Sequence, residues 1–185
     1  YKNRIRNNTN IVPPWYSLGS FSLVSSFVSD DFFGMMDANE GTMANSDKLD
    51  IAVGRILVEN TQRAKEMVDK IESYYLPEAF GNWRNNFMFV SDDIDKLSDR
   101  IIQETTEAIA EDVKAEKPFL NVQKIHSDSY VQETTSGGNR YSLVNKAIFD
   151  ALEVGAIVVN YFGHGGENGI ALERIFDIIN AQELN

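Results

Sequence analysis

The stretch Gly155-Ala-Ile-Val-Val-Asn-Tyr-Phe-Gly-His-Gly-Gly166 decides the fold. Its apolar run, Ala156 to Val159, opens a predicted buried strand, Ala156 to Tyr161, that ends in Gly163-His164-Gly165-Gly166. A short continuous apolar run bounded by turn formers reads as a strand buried in a parallel sheet. Just upstream, Tyr141 to Glu153 carries Val144, Ile148 and Leu152 on one helical stripe, with Gly155 near its stop. Helix, buried strand and glycine turn in that order form one α/β unit. His164 then sits where a strand fixes the backbone and glycines permit tight turning and close approach. That suits a base facing a substrate, with the Gly165 N–H available to a developing oxyanion. A glycine-rich turn holding an incidental histidine has the same spacing, so spacing alone does not separate the two.

The same alternation extends outward. Phe87 to Val90 is a second continuous apolar run, followed by Ser91-Asp92-Asp93. A helix is predicted from about Lys96 to Lys114, with Leu97, Ile101, Thr105 and Ala108 on one face, and a strand from Phe119 to Ile125. Residues 127–139 read as a polar loop and Ala171 to Leu184 as a tail of mixed helical character. Nearer the start, residues 1–20 read as extended loop. Strands are predicted over Phe21–Val28 and Leu49–Val53. A helix begins at Asn60 or Thr61 and carries Ala64, Val68, Ile71 and Tyr75. Strands alternating with helices predict an α/β fold with a mostly parallel sheet and helices on both faces. Pro77, Gly81 and the polar residues around them form a linker, dividing residues 1–80 from residues 81–185. Chemistry in open α/β sheets collects at the carboxyl ends of strands. The clusters Ser91-Asp92-Asp93 and Gly163-His164-Gly165 both fall there.

Composition narrows the function. The 185 residues are 43% hydrophobic and 24% charged, a globular balance, with a formal net charge of −11. No Lys/Arg cluster offsets that charge, which argues against binding along a nucleic-acid backbone or an anionic membrane surface. With no cysteine, a disulfide framework and a thiolate metal site are excluded within this sequence. No apolar run is long enough to cross a bilayer as a helix, and no signal-peptide pattern is visible.

The wording of the segment from Gly155 to Gly166 resembles the histidine block of the gingipain-like (C25) cysteine peptidases, within the wider caspase-like clan. Further segments resemble the family in its order. They are Asp30-Asp-Phe-Phe-Gly34, Asp37-Ala-Asn-Glu-Gly41, Leu49-Asp-Ile-Ala-Val-Gly-Arg55, Asn82-Trp-Arg-Asn85, Phe89-Val-Ser-Asp-Asp93, Gln132-Glu133 with Gly137-Gly138, and Gly165-Gly-Glu-Asn-Gly169 with Glu173-Arg174. Their wording is nearest to members that process the C-terminal signals of cargo exported by the type IX secretion system.

The resemblance implies a caspase-like fold, with residues 1–80 the C-terminal part of a first α/β subdomain and residues 81–185 the N-terminal, incomplete part of the catalytic one. It implies peptide-bond cleavage by a cysteine–histidine dyad. His164 would assist thiol deprotonation and protonate the leaving amine, and Gly165 N–H would supply part of the oxyanion hole. Asp92 or Asp93 would orient the ring; the sequence does not say which, and both also suit a solvated loop or a helix cap. The nucleophile of the family belongs to a later strand, beyond Asn185, and no G-x-S-x-G offers a serine instead. The chain by itself is therefore expected to be inactive. The resemblance further implies protein substrates, namely secreted cargo with a C-terminal signal. It also implies other secretion-system components as partners and a place on the outer face of a bacterial cell.

No cofactor is required on this reading, while a structural calcium is allowed by the family. Asp37 and Glu40, alone or with Asp92 or Asp93, are its oxygen-bearing candidates. Asp37, Asn39 and Gly41 echo the start of an EF-hand loop, but the fifth position lacks its acid and a turn is the better reading. Two non-enzymatic alternatives stand beside the peptidase. One is an α/β scaffold kept for binding. The other is a receiver-like signalling domain with an acidic pocket at Asp92-Asp93, although its later strand delivers His164 where a receiver needs lysine.

Overall fold

The computed structural model describes residues 12–19, 27–44, 46–166 and 168–184. The chain divides into two compact units, Tyr1–Leu76 and Pro77–Asn185.

In the first unit, β1 (Trp15–Tyr16) pairs antiparallel with β2 (Val28–Ser29). Most of the strand predicted over Phe21–Val28 lies outside the described residues. The strand predicted over Leu49–Val53 is not formed. Asp50 N–H donates to Gly34 C=O at 2.9 Å, while Asp50 Oδ2 accepts Met36 N–H at 2.7 Å. A short acidic side chain that captures a nearby amide competes with ladder formation, and here it wins. Gly34 makes the approach feasible, since a Cβ there would stand 2.8 Å from Ile51 C=O. Arg55 grips Asp30 with two donors, Nε at 2.7 Å and Nη2 at 2.6 Å, in the fork geometry that suits a carboxylate. The helix α1 (Thr61–Ser73) starts where Asn60 Oδ1 accepts Arg63 N–H at 2.9 Å. It buries no residue, and Tyr75 falls beyond its end. The exposed Arg63–Glu66 and Lys65–Asp69 pairs, at i,i+3 and i,i+4, give it weak local support.

The second unit runs β3 (Asn86–Ser91), α2 (Arg100–Glu116), β4 (Asn121–His126), β5 (Glu133–Thr135), β6 (Gly138–Arg140), α3 (Ser142–Val154) and β7 (Val158–Phe162). It continues through β8 (Gly165–Gly166), β9 (Gly169–Ile170), β10 (Phe176–Asp177) and α4 (Ile178–Glu183). The predicted loop at 127–139 thus contains all but Arg140 of a small hairpin, β5–β6. The main sheet is parallel, in the order β4-β3-β7, with Val90 beside both Ile125 and Tyr161.

Side chains alternate across this sheet. Met88, Val90 and Ile125 point to one face and are buried with Tyr141, Val144 and Ile148 from α3 and its start. Burying each large aliphatic there is worth roughly 1.5–3 kcal/mol. Lys124 and His126 point the other way and reach Glu107 and Glu111 on α2. Helices therefore cover both faces, as the alternation of elements predicts.

Two local expectations change. The buried stripe of α2 is Ile102, Thr106 and Ala110, not Leu97, Ile101, Thr105 and Ala108; Leu97 and Ile101 are exposed. The helix carries two partly apolar stripes. The buried one presents small residues to the sheet, and Thr106 satisfies its hydroxyl on Ile102 C=O at 2.8 Å. Likewise β7 is less covered than predicted, with Val159 and Phe162 exposed, because it is an edge strand of this sheet.

The topology places the site. From central β3 the chain moves to β4 on one side by way of α2, then returns past β3 to β7 by way of α3 on the other face. The reversal makes the carboxyl ends of β3 and β7 a topological switch point, where open α/β sheets leave a crevice.

Candidate active site

At that switch point β3 and β7 stay locked one residue beyond the sheet: Asp92 N–H donates to Phe162 C=O at 3.2 Å. Asp92 is thereby held under the turn that follows β7. Gly163 makes the turn fit. A Cβ there would lie 2.5 Å from Asp92 Cβ and nearer still to Tyr161 Oη. His164 comes next. Its backbone N–H donates to Asp92 Oδ2 at 2.8 Å, and its ring Nδ1 lies 2.9 Å from the same oxygen. Facing a carboxylate, Nδ1 carries the hydrogen, which leaves Nε2 as the working nitrogen. Asp92 is 2% exposed and the His164 side chain 52%, so a buried anion orients an accessible ring. The His164 carbonyl is fixed too, accepting from Tyr161 Oη at 2.6 Å and from Ala171 N–H at 2.8 Å. Burial and the nearby Asp92 push the Tyr161 hydroxyl above the usual phenol range, so it stays a donor.

Asp93 turns elsewhere. Its Oδ2 accepts from Tyr141 Oη at 3.1 Å and Gln132 Nε2 at 3.4 Å, both remote from the imidazole in the hydrogen-bond network. Asp92, Asp93 and Glu173 offer carboxylate oxygens all within 4.8 Å of one another, and all three residues are buried. Like charges at that range repel by roughly 3–4 kcal/mol at an effective dielectric of about 20. Burial, and after it the charge of Glu173, pushes Asp93 up to about 6. Burial also raises Glu173. Glu173 lies on a bent segment with left-handed backbone at Ala171 (φ 60°) and Arg174 (φ 52°).

The structure thus brings His164, Asp92, Asp93 and Gly165 to one sheet end. It places Asp37 and Glu40 in the first unit, where Glu40 closes a turn by accepting the amides of Asp37 and Lys48 at 3.2 Å each. Among the described residues the only trio of acids placed to share a cation is Asp92, Asp93 and Glu173. Glu173 and Tyr161 have no local sequence signal as site residues, because their roles depend on contacts across the turn.

A second string, Ser91 Oγ to His126 Nδ1 at 2.7 Å and His126 Nε2 to Glu107 Oε2 at 2.9 Å, has the residue types of a hydrolase triad. Ser91 is fully buried and its Oγ reaches no substrate, so the string is a structural tie between the sheet and α2.

The fold and the site together define a caspase-like α/β domain presenting a carboxylate-oriented histidine at the sheet's switch point. The family model for peptidase family C25 matches residues 1–185, and the chain belongs to that family. No curated protein and no solved structure matches it.

Proposed function

We propose that this chain supplies the histidine part of a cysteine endopeptidase site. His164 Nε2 takes the proton of a cysteine thiol as the sulfur attacks a peptide carbonyl, then returns it to the leaving amine. Asp92 holds the ring and faces the positive charge it gains. Gly165 N–H meets the carbonyl oxygen as it becomes an oxyanion. The Ala171 N–H to His164 C=O bond flanks the Gly165/Ile170 pair of the β8–β9 hairpin. This makes it a pair whose own N–H groups point away from each other. The nucleophile this reading requires is a cysteine thiol, which the sequence does not contain, so the chain alone is expected to be inactive.

The observation that carries this reading is the pair of hydrogen bonds from His164 to Asp92 Oδ2 on a half-exposed ring, which leaves Nε2 as the working nitrogen. The test is to label the intact protein with a thiol-directed peptide inhibitor and compare His164→Ala. Labelling and cleavage should both fall in the variant; unchanged turnover sinks the assignment.

By resemblance to PorU, the type IX secretion C-terminal signal peptidase and sortase, the substrates proposed are exported proteins bearing C-terminal signals. They are cleaved at the outer cell surface, with other secretion-system components as partners. Aminolysis of the acyl-thioester joins the new carboxyl end to an amine when the amine reaches it before water. Cargo that is still processed normally after deletion of the gene would count against this role.

A further inference from the structure

We propose that the hairpin after His164 selects the substrate, through a shelf for one large apolar side chain on the residue whose carbonyl is attacked. The proposal rests on the peptidase reading of His164. In the sheet ordered β10-β9-β8, Gly165 pairs with Ile170 and Ile170 with Phe176, so the three form one row across the strands. Partners across an antiparallel ladder share a face. Ile170 and Phe176 are partly buried and packed against the core, which fixes them. At the edge of the sheet β8 is bare: a Cβ at Gly165 or at Gly166 would meet nothing within 4 Å. The space over these glycines belongs to an open depression of about 670 Å³, walled by Ile170, Phe176, Ile178 and Ala181. Among the described residues the only charged one on its lining is Asp177. Its Oδ1 is turned into α4, accepting Ile179 N–H at 2.9 Å and Asn180 N–H at 3.1 Å. Ile178 stands 67% exposed on the rim, an apolar surface for a bound side chain to cover.

The ladder says what enters. β8 pairs only with β9, and the Gly165 N–H points out from its other edge. An extended polypeptide whose attacked carbonyl accepts that N–H lies along β8 as an added strand. The residue supplying the carbonyl then stands opposite Gly165, and its side chain joins the row of Ile170 and Phe176. Neighbouring strands are about 4.8 Å apart, so the bare glycine leaves a gap that a large side chain spans and alanine does not. Leucine, methionine and phenylalanine fit this shelf. Aspartate and lysine would lose water there against an apolar wall and gain no partner.

The experiment measures turnover of two peptide series by the intact, cysteine-containing protein. One series varies the residue before the cut, the other the residue after it. Leucine or phenylalanine before the cut should raise kcat/KM over alanine by about tenfold or more, and over aspartate or lysine further still. The second series should respond less. Gly166→Val fills the depression where an added side chain meets no neighbour, so it should melt like wild type and remove the preference for leucine over alanine. Ile178→Asp should weaken the same preference and improve turnover of the lysine peptide. A flat first series, an apolar preference only after the cut, or a preference unchanged in Gly166→Val would overturn the shelf. If cleavage in those cases still requires His164, the peptidase reading stands without it. A Gly166→Val that shifts the melting temperature and keeps the preference would put another segment of the protein, or a second copy, on this surface. A His164→Ala variant that cleaves like wild type sinks the peptidase reading and the shelf together.

Discussion

One oxygen of Asp92, Oδ2, accepts both the backbone N–H and the ring N–H of His164, at 2.8 and 2.9 Å. The carboxylate therefore sets the turn and the imidazole together. Removing the ring and removing the carboxylate should have different consequences. His164→Ala keeps the backbone bond, so it should cost stability by about 1–2 kcal/mol while lowering turnover of the cysteine-containing protein by on the order of 10²–10⁴. Asp92→Ala frees three N–H groups, those of His164 backbone and ring and of Asp93, and should cost about 3 kcal/mol or more. Denaturant melts of the two variants give the order; a reversed order would mean that Asp92 does not hold the turn.

The glycines of the turn should differ sharply. Gly163→Ala forces a methyl against Asp92 and Tyr161 Oη, so it should destabilise by about 1–3 kcal/mol and displace His164. At Gly165 an added Cβ meets nothing within 4 Å, so Gly165→Ala should melt like wild type. Where the Gly165 N–H faces the reacting carbonyl, the added methyl crowds the substrate, and the same variant loses turnover without losing stability. Equal melting temperatures for both variants would contradict the packing described for Gly163.

Ser91, His126 and Glu107 should behave as structure, not as a second catalytic string. Ser91→Ala and His126→Ala should leave turnover within about twofold of wild type. Each should cost about 1–3 kcal/mol in denaturant unfolding, because each strands a buried polar partner. A Ser91→Ala variant without activity would restore Ser91 as a nucleophile and undo the structural reading.

Lys124 reaches Glu107 and Glu111 at 2.7 Å each and holds both carboxyls below the usual glutamate range. A depressed carboxyl contributes stability that is fully present above its unfolded value, 4.5, and lost as pH falls through the folded one. Wild type should therefore lose stability faster than Lys124→Met on acidification below about pH 4.5, with only a small difference, because these side chains are partly exposed. Parallel stability-versus-pH curves for the two proteins would contradict this.

What the sequence by itself determined is what short-range chemistry encodes. The short β-branched run before Gly163-His164-Gly165, bounded by glycines, specifies a strand and a tight turn, although the strand lies at the sheet edge with Val159 and Phe162 exposed. The stripe Val144, Ile148, Leu152 with Gly155 after it specifies α3 and its end, and Gly155 does adopt φ 95°. Tertiary structure alone decided the rest. Asp92 and Asp93 are adjacent and chemically identical in the sequence. They part only because Asp92 sits beneath the β7 turn, while Asp93 faces Tyr141 and Gln132. The face of α2 was open for the same reason: two stripes share one helix, and the sheet chooses the one whose small residues let it approach. Leu49–Val53 has the composition of a strand, but Asp50 bonds Met36 and Gly34 instead of a ladder. Glu173 is the extreme case: a surface-type residue in a tail of mixed helical character becomes a buried acid whose Oε2 has no hydrogen-bond partner among the described residues. Local preference is a sum over neighbours in sequence, whereas the environment of a charge is set by whichever atoms the fold brings within a few ångströms of it.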